Sequence, residues 1–212
     1  MNRSLELNIH PLTPSRWSDL ELLFAAKGCS FARSCWCMDY RIGRSPHTPD
    51  GISTADFKRE RLRELTTQVL PPGLIAYHED EPVGWITVGP REDFGALARS
   101  RVMGPVDTTP VWSVVCFVVP SAWRRRGVAG ALLRGAVEHA AHHGARWLEA
   151  YPIDKPGPSA DNWLWHGTKA MFDQAGFEEV LRRKPERPIM RRRLRPLTGN
   201  PSAGRGGAAM PS

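Results

Sequence analysis

The chain has 212 residues, 41% hydrophobic and 24% charged, a length and balance that suit one globular domain with a sizeable core. No apolar run approaches the roughly 18 residues needed to cross a bilayer. The start Met1-Asn2-Arg3-Ser4-Leu5-Glu6 lacks the basic, apolar, small-residue order of a secretion signal, so no membrane and a cytoplasmic address are expected. A formal charge of +7 points to an acidic partner, and the four cysteines (Cys29, Cys35, Cys37, Cys116) read as free thiols in such a compartment.

In chain order, Leu5–Ile9 reads as a short strand. Thr13-Pro14 then opens a helix, with Thr13 capping free amides and Pro14 at the first position. Trp17, Leu20, Leu23 and Phe24 give that helix one apolar face, and Gly28 stops it. Gly28 to Gly51 reads as irregular, holding three cysteines, Trp36, Tyr40 and two prolines. A second helix starts near Ser53, with Asp56 in its first turn and Phe57, Leu62, Leu65 and Val69 turned inward; Pro71-Pro72-Gly73 ends it. Leu74–His78 and Val83–Val88 form an antiparallel hairpin, and a short helix through Phe94, Leu97 and Ala98 suits Arg91–Arg101.

Val111–Val119 is almost continuously apolar, as in a strand buried on both faces. The next helix carries a core stripe of Ala129, Leu132, Leu133, Ala136, Val137, Ala140 and Ala141, closed by Gly144. Arg146–Ile153 is a further strand, and Lys169–Ala175 a short helix ended by Gly176-Phe177. Glu178–Arg182 and Ile189–Leu194 make a closing hairpin, with Arg191-Arg192-Arg193 read as a solvated basic edge. Residues 1–197 form one domain on this reading, and 198–212, rich in Gly, Ala, Ser and Pro, a disordered tail.

Chemistry concentrates where the buried strand becomes a helix, at Val118-Val119-Pro120-Ser121-Ala122-Trp123-Arg124-Arg125-Arg126-Gly127-Val128-Ala129-Gly130. A helix N-terminus offers unpartnered amides and the positive end of the macrodipole. Gly127, Ala129 and Gly130 let an anion approach that backbone, and three arginines add charge at the rim, which together make a pyrophosphate cradle. Neither G-x-x-x-x-G-K-[ST] nor G-x-G-x-x-G after a strand is present, which argues against a nucleotide triphosphatase or a dinucleotide oxidoreductase.

The stretch resembles the acyl-CoA signature R/Q-x-x-G-x-G/A of the GNAT superfamily of N-acetyltransferases, filled by Arg124, Gly127 and Ala129 after Val118-Val119-Pro120. The likeness runs from Leu5 to Leu194 and includes the Gly176-Phe177 ending; the Cys35-Trp36-Cys37-Met38 segment is similar to a subgroup of such sequences. It implies an α/β (α+β) GNAT-like fold: a mixed, mostly antiparallel sheet of six to seven strands flanked by helices, around a central β-α-β cofactor unit. It also implies acetyl-CoA as cofactor, with the pyrophosphate on Arg124, Arg125, Arg126, Gly127, Val128, Ala129 and Gly130. The pantetheine arm would bond the backbone of Phe117, Val118 and Val119 where the strand splays from the next one.

Family members often place a glutamate on the strand before the cradle as base and a tyrosine before the Gly-Phe pair as acid. This strand offers no carboxylate, the tyrosine position is Phe172, and a neighbouring asparagine position is Trp165. Tyr151 as acid, Glu149 as base through water, and Cys116 as acyl relay or small hydrophobe are the remaining candidates. Cys29, Cys35 and Cys37 have atypical spacing for zinc and lack an evident fourth ligand, so no metal is expected. Trp163, Trp165 and His166 line the channel or pack at the surface. The resemblance implies an enzyme acetylating a primary amine of a small molecule, with a homodimer allowed and nucleic acid disfavoured. Another acyl-CoA, a protein amine acceptor, or a non-catalytic CoA- or nucleic-acid-binding module are the alternatives.

Overall fold

Seven strands form one sheet in the computed structural model, which describes residues 5–155 and 165–195. In chain order the elements are β1 (Asn8–Pro11), α1 (Trp17–Ala25), α2 (Ser30–Cys35), α3 (Asp39–Ile42), α4 (Thr54–Leu65), β2 (Gly73–His78) and β3 (Glu81–Pro90). They continue with α5 (Gly95–Ala98), β4 (Trp112–Val118), α6 (Val128–His142), β5 (Trp147–Ala150), α7 (Lys169–Gln174), β6 (Glu178–Lys184) and β7 (Arg187–Arg193). The sheet order is β1-β2-β3-β4-β5-β7-β6, and every neighbouring pair is antiparallel except β4 with β5. That single parallel pair follows from the α6 crossover, since parallel strands need a long connection.

Each face of the sheet carries its own core. On one side Trp85, Val115, Cys116, Tyr151 and Ile189 pack against Trp17, Leu20, Leu23 and Phe24 of α1 and the buried sulfurs of the α2–α3 region. On the other, Val114, Phe117, Leu148 and Met190 pack against Leu132, Leu133 and Ala136 of α6 and Phe172 of α7. Gly84 sets the approach of α6, because a Cβ there would lie 2.6 Å from Val128 Cγ1 and 2.9 Å from Leu132 Cδ1. No helix among the described residues is long and apolar enough to cross a membrane.

Several local expectations change. The first strand begins at Asn8 rather than Leu5. Thr13 makes no capping bond to the backbone; Pro14–Arg16 is a 3-10 turn, and Thr13 Oγ1 meets Ser15 Oγ at 2.9 Å instead. Gly28–Gly51 is not irregular throughout, for it contains α2 and α3, which bury Cys35, Cys37 and Met38. Ser53 does cap α4, accepting from the Asp56 amide at 3.1 Å, but Val69 lies beyond that helix and is 95% exposed. Lys58 is buried in its stead, its ammonium donating to Asp39 Oδ1 at 2.6 Å and the Arg44 carbonyl at 2.8 Å. Arg191 is no edge residue either: β7 lies inside the sheet, with β6 as the edge. Trp163 and residues 198–212 lie outside the described residues.

Candidate active site

Parallel pairing of β4 with β5 covers Trp112–Leu148, Ser113–Glu149 and Val114–Ala150, and goes no further. The reason lies on the other edge of β4. Opposite β3 the register steps from Val88–Val114 to Thr87–Cys116, so Val115 is an extra residue, a β-bulge. Val115 and Cys116 therefore both turn toward α1–α3, and alternation resumes with Phe117 on the α6 face. Beyond Ala150 the chain leaves β4 for α7: the Ile153 amide donates to the Gly167 carbonyl at 3.0 Å, and the Lys169 amide to the Ile153 carbonyl at 2.9 Å. The result is a fork between Val115–Val118 and Tyr151–Ile153, with its vertex at Val114 and Ala150.

β4 is followed, after residues 119–127, by an open helix N-terminus. Gly127, at φ +86°, lets the chain turn into α6, and the first intrahelical bond is Ala131 N–H to the Gly127 carbonyl at 3.0 Å. The amides of Val128, Ala129 and Gly130 thus lack intrahelical acceptors, and no acidic side chain stands in the first turn. A Cβ at Gly127 would meet nothing within 4 Å, and one at Gly130 only Arg134 Nη1 at 3.7 Å. The space above these amides is open to an anion.

The three arginines of the turn differ. Arg124 is a strap, donating through Nε to the Val119 carbonyl at 3.1 Å and through Nη2 to the Gly28 carbonyl at 2.8 Å. Arg126 stacks over the Trp123 ring at 4.2 Å, and Arg125 is exposed with φ +58°.

Glu149 lies on β5 at the vertex and is wholly buried. Its carboxylate accepts from Arg91, from Arg191 Nε at 2.8 Å and from the Tyr151 hydroxyl at 2.6 Å. Tyr151, also buried, has its hydroxyl 3.0 Å from Ser113 Oγ and accepts from Arg91. Arg191 continues the chain to Asp107 at 2.7 Å. Burial, then the charge of Glu149, pushes the Tyr151 phenol well above its ordinary range. Glu149 and Tyr151 are thereby tied into a network that fastens β5 to β4, β7 and the segment after β3.

Around the other prong of the fork lie sulfurs and a ring pair whose mutual contacts the sequence alone does not show. Cys37 donates its thiol hydrogen to Cys116 Sγ at 3.3 Å, and the Cys37 amide donates to Cys35 Sγ, also at 3.3 Å. The Cys37 thiol is raised well above its ordinary pKa, chiefly by its bond to Cys116, and that of Cys35 chiefly by its bond to Cys37. Both stay protonated and unreactive as nucleophiles. Among the described residues no group of three or more His, Cys, Asp or Glu side chains is placed to hold a metal ion.

His166, buried at 6% exposure, puts Nε2 3.0 Å from the Tyr40 hydroxyl and bonds the Val115 backbone at the bulge. Burial and Arg187 push its pKa well below that of free imidazole, while burial pushes Tyr40 up to about 12. Sequence reasoning misses the pair, since Tyr40 sits in a stretch that reads as irregular and His166 in one that reads as channel lining or surface packing. The available signal is the position of His166 beside Trp165, where the family pattern sets an asparagine.

Two concavities open on the surface among the described residues. One of about 520 Å³ is lined by Phe31, Ser34, Cys35, Asp39, Lys58 and Trp165 among others, with Phe31 and Trp165 stacked at 4.6 Å. The larger, about 950 Å³, runs between α6 and α7 from Gly130 to Arg195 and is basic through Arg134, Arg192, Arg193 and Arg195. It is the bigger hollow, but only its Gly130 end touches the cradle.

A fork between parallel strands thus leads to an open helix N-terminus whose first amides lack intrahelical acceptors. The family model for the acetyltransferase (GNAT) family matches residues 40–156, more than half of the sequence. The chain belongs to that family and is an N-acetyltransferase; acetyl-CoA is the general cosubstrate of the family. Its fold is similar to that of an acetyltransferase from Thermus thermophilus (21% identity, TM-score 0.51, covering 90% of this chain and 99% of that one). It is also similar to the GNAT domain of S. lividans PAT (19% identity, TM-score 0.51, covering 89% and 90%). No curated protein matches it in sequence.

Proposed function

We propose that the protein transfers an acetyl group from acetyl-CoA to a primary amine of a small molecule, by direct attack within a ternary complex in the cytoplasm. The observation that carries this reading is that β4 leaves β5 at Val114 and leads, through residues 119–127, to the free amides of α6. Acetyl-CoA fits that arrangement, since the cradle offers amides and open space for a diphosphate and the fork offers an unpaired strand edge. When bound, acetyl-CoA supplies the activated acetyl thioester.

The amides of Val128, Ala129 and Gly130 grip the diphosphate, with Arg125 and Arg126 at its rim. Arg124 holds the turn against Gly28, and the backbone of Phe117, Val118 and Val119 receives the extended arm. Glu149 and Tyr151 hold the vertex rigid by the bonds described, and Cys116 with Cys37 forms a small, apolar wall. The Cys35-Trp36-Cys37-Met38 segment, on this reading a subgroup feature, lines the acceptor side.

The acceptor enters through the concavity of Phe31, Asp39 and Trp165, whose stacked rings suit a slender organic amine better than a folded protein. A nucleic-acid-binding role loses support because three of the C-terminal arginines are engaged: Arg182 with Glu179 and Asp154, Arg183 with the carbonyls of Gly104 and Pro105, and Arg191 with Glu149 and Asp107.

Calorimetry with acetyl-CoA, followed by a panel of amines with thiol detection, tests the reading. Uptake of CoA and amine-dependent thiol release are expected. A folded protein that takes up no acetyl-CoA overturns it.

A further inference from the structure

Arg44 is a surplus cation in the smaller concavity. That hollow, about 520 Å³, has the size of a site for a small organic molecule. Among the described residues its lining carries two cations, Arg44 and Lys58, and one carboxylate, Asp39. The Lys58 side chain is only 4% exposed, and its ammonium is bound to Asp39 Oδ1 at 2.6 Å and to the Arg44 carbonyl at 2.8 Å. These bonds match Asp39 charge for charge and leave the third ammonium hydrogen without an acceptor among the described residues. They also pin the backbone of Arg44, an exposed residue whose guanidinium has no carboxylate partner among the described residues. One wall is apolar, because the Phe31 and Trp165 rings stack nearly parallel, at 7°. The hollow also lies near β4. Cys35 in its lining accepts from the Cys37 amide, and the Cys37 thiol meets Cys116 on that strand.

We propose that this concavity selects acceptors whose primary amine is joined by a short chain to a carboxylate, with Arg44 the specificity-determining residue and Lys58 its support. The proposal rests on the acetyl-transfer reading above, which brings the acceptor through this hollow, and narrows it to one substrate class. A carboxylate set between Arg44 and Lys58 cancels the surplus charge, and a guanidinium fork is shaped to bind it through two parallel bonds. The connecting carbons lie along the two rings, and the amine is held away from both cations. A diamine of the same length would set its second ammonium beside two like charges, a repulsion that rejects it. A neutral carboxamide keeps the shape but loses the charge-assisted part of the bonding.

Matched acceptors test this selection. The common α-amino acids and the ω-amino carboxylates from glycine to ε-aminocaproate are each compared with their carboxamides, and with diamines of equal length, by kcat/KM with thiol detection. For the best acceptor, wild-type protein is expected to favour the carboxylate over its carboxamide by about tenfold or more, and the diamine least. Added salt should shrink that preference, since Arg44 is exposed. Arg44→Gln should bring the ratio to within about twofold of one, and Arg44→Glu should turn the preference toward diamines. CoA affinity by calorimetry should stay within about twofold of wild type in both variants, which also shows that they are folded. Wild-type protein that acetylates carboxamides or diamines as well as carboxylates overturns the proposal and leaves acetyl transfer intact. An unchanged preference in folded Arg44→Gln does the same. A wild-type protein that takes up no acetyl-CoA, or releases no thiol with any amine, sinks the acetyl-transfer reading and this proposal with it.

Discussion

Gly130→Asp separates the cofactor reading from a merely structural account of the strand–helix junction, because it should move stability and binding in opposite directions. Gly130 is the third residue of α6, where a carboxylate lies near the positive end of the helix. That placement is worth about 0.3–1 kcal/mol. Replacing a helical glycine adds a few tenths of a kcal/mol, and Arg134 Nη1, 3.7 Å from the added Cβ, offers an i,i+4 partner worth about 0.3–0.5 kcal/mol. The sum is about 1–2 kcal/mol of added stability, a rise in Tm of about 2–8 °C at this chain length.

The same charge would stand where the diphosphate is expected. Two unit charges about 4 Å apart repel by about 1 kcal/mol in water and about 4 kcal/mol near a protein surface. The affinity for CoA should fall at least about tenfold, and less at high salt. Calorimetric titration of Gly130→Asp with Gly130→Asn as the uncharged control, alongside thermal melts, reads both quantities. CoA bound by the aspartate variant as tightly as by wild type would refute a diphosphate site at the head of α6.

Two further outcomes follow from buried charge. Glu149→Ala removes the buried carboxylate that Arg91 and Arg191, with side chains 12% and 8% exposed, share, and leaves Arg191 only the partly exposed Asp107. Loss of one partner from such a cluster costs about 3–5 kcal/mol, readable by urea denaturation; a loss below about 1 kcal/mol would show that Glu149 does not hold β5 in place. His139 packs between Trp112 and His143 with Nε2 buried and lacking a hydrogen-bond partner among the described residues. Burial, then the neighbouring His143 and His142, lowers its pKa from the ordinary 6.5 to about 4. A depressed folded-state pKa means that the unfolded chain takes the proton first, so stability present above pH 6.5 is lost as the pH falls toward about 4. Allowing for partial exposure, the loss is on the order of 1–2 kcal/mol. His139→Leu should flatten the stability curve across that window, and an unchanged slope would exclude His139 as its source.

The two halves of the site are unequally legible in the sequence, and the reason is covalent distance. The cradle is built from contiguous residues, Val115 to Gly130, whose physics is local: an apolar run, a glycine able to take φ +86°, and a helix whose stripe places Leu132, Leu133 and Ala136 on the sheet. Such features can be read from the sequence because each depends on its neighbours in the chain. The alternation rule that serves β3 fails on β4, since the bulge at Val115 is set by pairing with β3 and puts Val115 and Cys116 on one face.

Tyr40, Val115, His166 and Arg187, by contrast, meet only once β7 lies inside the sheet and α7 folds back on Ile153. Glu149 shows the same dependence. Its place on β5 is legible, yet whether its carboxylate is a free base or a committed acceptor is decided by Arg91 and Arg191, 58 and 42 residues away. Ionisable residue type alone therefore says little about proton transfer in this fold.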